Sequence, residues 1–229
     1  MMTLIITFIY NNNNNIKIQG NMKVFILHYS KLVDRKKHIL DQLNKLDILD
    51  YEFIEKYDKD EITSEESSIF DINYKKSTMS LCLKHFYVFK EIAEKYDSAL
   101  IFEDDVILSH NFTDMFNKYI AQLPQDYDML FIGDGCYLHI ENNRIIPNQY
   151  IYEKSSTRCA DSYIVSKKCA LKICEYIQHL NYKIFLPADH FLNLAIIENN
   201  LKVYWAEPTI VTQGTQNGLF NSTSDSWNV

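Results

Sequence analysis

The run Ser98-Ala99-Leu100-Ile101-Phe102-Glu103-Asp104-Asp105-Val106 constrains what this chain can fold into more tightly than any other stretch. Four consecutive apolar residues read as a strand buried on both faces, the kind found in the middle of a parallel sheet. Three carboxylates then stand at its carboxyl end. In an open α/β sheet, ligands bind in the crevice outside the carboxyl ends of the strands, so the acids fall where chemistry is expected. Like charges packed this closely raise one another's pKa unless something positive sits among them. Hard oxygen donors suit Mg²⁺ or Mn²⁺, which are usually held by one or two carboxylates plus substrate phosphates. The plainer alternative is an acidic trio that opens a solvated loop or caps the next helix. The buried strand ahead of it favours the metal.

At 229 residues the chain suits one large domain or two small ones. A formal net charge of -7 argues against an electrostatic hold on nucleic acid. A phosphate-bearing ligand then has to be met by local cations or a metal. The five cysteines, at 82, 136, 159, 169 and 174, form neither C-x-x-C pairs nor His-partnered zinc spacings. They read as reduced, buried thiols in a reducing compartment. Residues 1–10 are apolar but too short to cross a bilayer, and they lack the basic lead and cleavage site of a signal peptide. An asparagine run, 11–15, follows. Residues 1–21 are therefore read as an appendage and 22–229 as one domain, with a cytoplasmic location and no transmembrane segment expected.

Lys23 to His28 reads as a strand, and Asp34 to Ile48 as an amphipathic helix with Ile39, Leu40, Leu43 and Leu46 on one face. Tyr51 to Glu55 alternates like a second strand. Residues 56–78 are polar and aperiodic, a long loop with short helical pieces. Helical spacing returns from Ser80 to Tyr96, leading directly into the acidic strand. A helix is expected between Asn111 and Leu123, a buried strand from Tyr127 to Ile132 ending in Gly133-Asp134-Gly135, and a hairpin or loop over 136–158. Ala160 to Val165 reads as a strand, with Ser166 as N-cap of a helix from Lys167 to Leu180. Pro187 opens a last helix, Val203 to Trp205 a last strand, and the tail from Gly214 is polar and turn-rich.

Several of these pieces, in this order, resemble glycosyltransferase family 25, whose members include bacterial lipo-oligosaccharide (lipopolysaccharide) galactosyltransferases and procollagen galactosyltransferases. They are Val24-Phe25-Ile26-Leu27 with Asp34-Arg35, Leu83-Lys84-His85-Phe86, Leu100 to Val106, Tyr127 to Gly133, Ser162-Tyr163-Ile164-Val165-Ser166, Leu186-Pro187-Ala188-Asp189-His190-Phe191-Leu192 and Ala206-Glu207-Pro208. The combination of the Glu-Asp-Asp block, the Pro-x-Asp-x-x-Leu element and the Glu-Pro pair is the specific part. There are departures. Ser80-Leu81 stands where the family usually has Gly-Cys, Lys84 replaces a serine, and Asp161 stands where small or apolar residues are usual.

The resemblance implies an α/β protein, a single glycosyltransferase A type nucleotide-binding fold with a mostly parallel central sheet flanked by helices. It implies a UDP-sugar donor, a divalent metal (Mn²⁺ or Mg²⁺) on the diphosphate, and a glycan or protein acceptor. Glu103, Asp104 and Asp105 would hold the metal, with Asp105 the foremost ligand and an earlier acid reaching the ribose or a metal-bound water. Leu27, His28, Arg35, Asp104 and Gln213 would contact the donor. Arg35 has the alternative of being a surface residue at a helix start. Asp189 has the family position for the base of an inverting transfer, with simple N-capping as its rival. The implied activity is hexose transfer, galactose or glucose, to a glycan or collagen-like hydroxylysine. A decayed binding or scaffold protein is the alternative from another class, and a metal phosphohydrolase a third.

Overall fold

The computed structural model describes residues 22–71 and 74–222. The appendage expected over 1–21 lies outside the described residues. Strands β1 (Lys23–Leu27), β2 (Tyr51–Ile54), β3 (Ser98–Glu103), β5 (Met129–Phe131), β6 (Ile151–Lys154), β7 (Ser162–Ser166) and β8 (Val203–Ala206) form one sheet in the order β2-β1-β3-β7-β5-β8-β6. Five strands point one way, and β6 and β7 run against them. A small second sheet pairs β4 (Val106–Leu108) with β9 (Val211–Gln213). The helices are α1 (Val33–Lys45), α2 (Ser64–Ser68), α3 (Lys76–Lys95), α4 (Phe112–Gln122), α5 (Lys167–His179) and α6 (Ala188–Glu198).

Strand side chains alternate between two cores. Phe25, Leu27, Ala99 and Ile101 face α3, α5 and α6 through residues such as Phe89, Ile173 and Phe191. Val24, Ile26, Leu100 and Phe102 face α1 and α4 through Ile39, Leu43 and Phe116. Residues 99–102 are fully buried, and at about 1.5–3 kcal/mol for each large apolar side chain removed from water, β3 is the anchor of both layers. Expected elements differ from observed ones mainly at their ends. Ser166 caps α5 as expected, its hydroxyl accepting from the Cys169 amide at 3.2 Å.

Three strands were not anticipated, the first being β4, which directly follows the acidic turn. β6 lies within 136–158, where only a hairpin or loop was expected, and it covers β8 at the sheet edge. β9 is a three-residue element whose apolar content is too slight to mark it. β6 and β9 are both defined by partners distant in sequence. Among the described residues no helix is long and apolar enough to cross a membrane.

Candidate functional site

The site begins with strand register. β1 pairs parallel to β3, setting Leu27 beside Glu103, and the next residues, His28 and Asp104, meet beyond the sheet. The chain leaves β1 for β2 on one side and returns to β3 on the other, making this edge a topological switch point. On the other flank β7 runs antiparallel to β3, and the Glu103 amide donates to the Asp161 carbonyl at 2.8 Å. Asp104 and Asp105 form the turn between β3 and β4. β4 registers Val106 opposite Gln213, and the Gly214 amide donates to the Asp105 carbonyl at 2.6 Å. The small sheet thus fastens the 211–215 segment to the acidic turn.

A cavity of about 400 Å³ opens at this edge, within the size range of small-molecule sites. Its lining includes Leu27, His28, Arg35, Glu103, Asp104, Asp105, Asp189 and Gln213. The eight residues assigned above to the metal, the donor and the base therefore border one space. His190 is exposed and is not among the lining residues.

The three acids differ in surroundings. Asp104 is buried; His28 Nδ1 lies 2.8 Å from its Oδ2, and Arg35 donates to Oδ1 at 2.8 Å. Burial pushes this carboxyl up, but the bonds from His28 and Arg35 outweigh it and hold it below the usual carboxylate range. Both oxygens of Asp104 are thus engaged by protein donors. Arg35 is itself buried, at 6% exposure, so its surface alternative does not hold. Its second nitrogen donates to the Asn221 carbonyl at 2.7 Å, and the guanidinium lies over the Phe220 ring.

Asp105 is held on one side only. Thr215 donates to Oδ2 through its hydroxyl at 2.5 Å and its amide at 3.3 Å, while Oδ1 is buried with no hydrogen-bond partner. Leaving a carboxylate oxygen this way is costly unless a cation or donor arrives. Glu103 has its pKa raised well above the ordinary value, by burial first and then by crowding from Asp105, Asp161, Asp104 and Asp189. Beneath it Asp161, fully buried, is pushed up to about 7 by burial, against the Ser162 hydroxyl bond at 2.7 Å that lowers it. The alternative of a solvated acidic loop is excluded for Asp104 and Asp105, exposed by only 5% and 3%.

Asp189 sits in the first turn of α6 and borders the cavity. The N-cap of that helix is Pro187, with no side-chain cap bond, so Asp189 is not the cap. Two of the family departures also reach the cavity. Lys84 is buried and gives its three protons to the carbonyls of His28 at 2.5 Å and Ile54 at 2.9 Å and to Asp58 Oδ1 at 2.6 Å. Ser80 donates to the Tyr57 carbonyl at 2.6 Å. Lys84 thereby ties the ends of β1 and β2 to the loop that follows.

Sequence reasoning did not single out Thr215, whose neighbours are ordinary turn residues; only the β4–β9 pairing brings it to Asp105. It also missed the Asp58–Lys84 pair and the thiols of Cys136 and Cys159 on the cavity wall. The expectation of uniformly buried cysteines is corrected here. Cys82 and Cys169 are buried, but Cys136 is exposed and Cys159 and Cys174 are half-buried. Turns present Cys136 and Cys159, whereas Cys174 lies within α5 next to its buried Ile173. Among the described residues no group of three or more His, Cys, Asp or Glu side chains is arranged to hold a metal ion.

Two proteins of Acanthamoeba polyphaga mimivirus are similar in sequence. One, named as a glycosyltransferase, is 21% identical over 141 residues, 58% of this chain and 42% of that protein. The other, named procollagen lysyl hydroxylase and glycosyltransferase, is 23% identical over 120 residues, 48% of this chain and 13% of that protein. The chain thus spans less than half the length of either relative. Among solved structures, a glycosyltransferase involved in glycosylation of the major capsid of PBCV-1 matches at 10% identity, covering 84% of this chain and 91% of that one, with a TM-score of 0.49. The catalytic domain of Drosophila beta1,4-galactosyltransferase 7 also matches at 10% identity, covering 90% of this chain and 76% of that one, with a TM-score of 0.44. With both scores below 0.5, neither likeness bears on the assignment. The family model described as glycosyltransferase family 25 (LPS biosynthesis protein) matches residues 21–192, well over half of the chain, and the protein belongs to that family.

Proposed function

We propose that this protein is a metal-dependent glycosyltransferase that moves a hexose, galactose or glucose, from a UDP-sugar to a hydroxyl of a glycan or a collagen-like hydroxylysine, with inversion. One observation carries the reading. Eight residues from five separate parts of the chain, Leu27 and His28, Arg35, Glu103 to Asp105, Asp189 and Gln213, border a single cavity at the carboxyl edge of the sheet.

The residues fit a divalent cation. The unpartnered Asp105 Oδ1 and the crowded Glu103 carboxyl offer hard oxygens, the Arg35 guanidinium approaching Asp105 only at its other oxygen, 3.9 Å from Oδ2, and Mn²⁺ or Mg²⁺ commonly takes only one or two protein carboxylates when a diphosphate supplies the rest. When bound, such an ion neutralises charge gathering on the departing diphosphate as a Lewis acid. Asp104 acts differently in this scheme. Committed to Arg35 and His28, it fixes the turn and the nucleotide-side wall. Leu27 and His28 at the end of β1, with Arg35, border the donor half. Thr215 and Gln213 hold and close the other side of Asp105. Asp189 accepts the proton of the attacking acceptor hydroxyl, which requires an ionised carboxylate within hydrogen-bond reach of that oxygen.

The test is UDP release from UDP-galactose and UDP-glucose with Mn²⁺ and a hydroxylysine-containing or glycan acceptor. Asp105→Ala is expected to lower turnover by at least about 10²-fold, the scale of losing charge stabilisation at a leaving group. Undiminished turnover in that variant would sink the proposal, and cleavage of simple phosphate esters without acceptor would point to a phosphohydrolase instead.

A further inference from the structure

Cys136 and Cys159 face each other across the cavity wall with their Sγ atoms 3.0 Å apart. Both border the same cavity as Glu103, Asp105 and Asp189. Each sits at a left-handed backbone position, φ 54° for Cys136 and 58° for Cys159, so two tight turns present the thiols to one another. The first turn follows β5 and is fastened to the 213–217 segment, the Cys136 amide donating to Gln216 Oε1 at 3.1 Å. The second precedes β7. Gly135 brings the turns together: a Cβ there would lie 2.6 Å from Cys159 Cβ and 2.7 Å from the Arg158 carbonyl. The remaining three cysteines, Cys82, Cys169 and Cys174, form no comparable pair.

We propose that Cys136 and Cys159 are a redox modification site, a dithiol that small disulfides of the glutathione class convert to an intramolecular disulfide on the cavity wall. Cys136 is the exposed member and reacts first, as the attacking thiol. Its thiolate displaces one glutathione thiolate from oxidised glutathione, forming a mixed disulfide. Cys159 then attacks the Cys136 sulfur, its proton passing to the second departing glutathione. Overall two protein thiols are oxidised and one glutathione disulfide is reduced to two thiols. Burial, followed by the neighbouring Cys136, pushes the Cys159 thiol up, which leaves the exposed Cys136 as the member that meets the external disulfide.

This site is independent of sugar transfer, since thiol counting needs no donor or acceptor. The full chain is reduced, freed of reductant, exposed to oxidised glutathione, then alkylated and mapped by mass spectrometry. The expected product has lost about 2 Da, retains three alkylatable thiols and yields a single cross-linked peptide pair joining 136 to 159. In Cys159→Ser the glutathione adduct should instead persist on Cys136, adding about 305 Da, because no resolving thiol remains. Five alkylatable thiols in the exposed parent, a lasting adduct on its Cys136, or a bridge to another cysteine would each overturn the proposal.

Discussion

Asp104 and Asp105 are adjacent, yet their surroundings assign them opposite tasks. Asp104 is enclosed by His28, just past the end of β1, and Arg35 of α1, whereas Asp105 keeps one buried oxygen without a partner. Removing Arg35 would leave Asp104 as an under-compensated buried charge, which is more damaging than losing the whole pair. Arg35→Ala is expected to cost about 3 kcal/mol in urea unfolding, with Asp104→Asn added to it recovering part of that loss. Equal stabilities of the single and double variants would contradict the pairing. His85 supplies a pH signature away from the acids. It is fully buried, its Nδ1 lies 2.7 Å from the Tyr163 hydroxyl, and burial lowers its pKa to about 3. Between about pH 3 and 6.5 the unfolded chain binds a proton that the folded chain excludes, so stability present above 6.5 is lost as pH falls. The slope from this group is about 1.4 kcal/mol per pH unit. His85→Gln keeps an acceptor for Tyr163 and removes the titration, so the stability of the parent relative to this variant should decline with that slope below pH 6.5. A constant difference across the window would show that His85 is not the buried neutral group described.

At the scale of elements, the site is assembled by turns whose geometry depends on close packing. Gly133 and Gly135 admit Asp161 beneath the sheet edge: a Cβ on Gly133 would meet Ser162 Oγ at 2.3 Å, and one on Gly135 would meet Asp161 Oδ1 at 2.8 Å and the Arg158 backbone at 2.7 Å. A backbone atom cannot rotate away, so Gly135→Ala is expected to destabilise by about 2 kcal/mol in thermal or urea unfolding. A change within 0.5 kcal/mol would mean that the two turns are free to separate. The glycines were legible as turn residues near the ligand face, because Gly-Asp-Gly after an apolar run has few other uses. What they accommodate was not legible. Asp161 stood out only as an unexpected acid, and its burial follows from β7 entering antiparallel beside β3.

Across the whole molecule, the proposed donor would bridge β1, β3, α6 and the β9 turn, so its binding should be felt by the entire cooperative unit. A UDP-sugar at about 100-fold its Kd, with Mn²⁺, is expected to raise the unfolding midpoint on the order of 8 °C. The shift should shrink without Mn²⁺ and shrink to the same extent in Asp105→Ala. An equal shift with and without metal would separate nucleotide binding from the acidic turn. The sheet also explains why edge elements were harder to foresee than central ones. β3 declares itself by four apolar residues that are all fully buried, while β6 and β9 are short and defined by strand partners 49 or more residues away in the chain.

Local pattern alone determined the central strand, the amphipathic helices, the cap at Ser166 and the acids at a strand's carboxyl end, because burial periodicity and charge crowding are properties of neighbours in sequence. Tertiary structure decided which carboxylate is neutralised, which keeps an unpartnered oxygen, where Thr215 arrives and which cysteines meet. Those outcomes depend on strand order and register, which join residues as far apart as Arg35 and Asn221, and no local pattern encodes the field that such distant partners create.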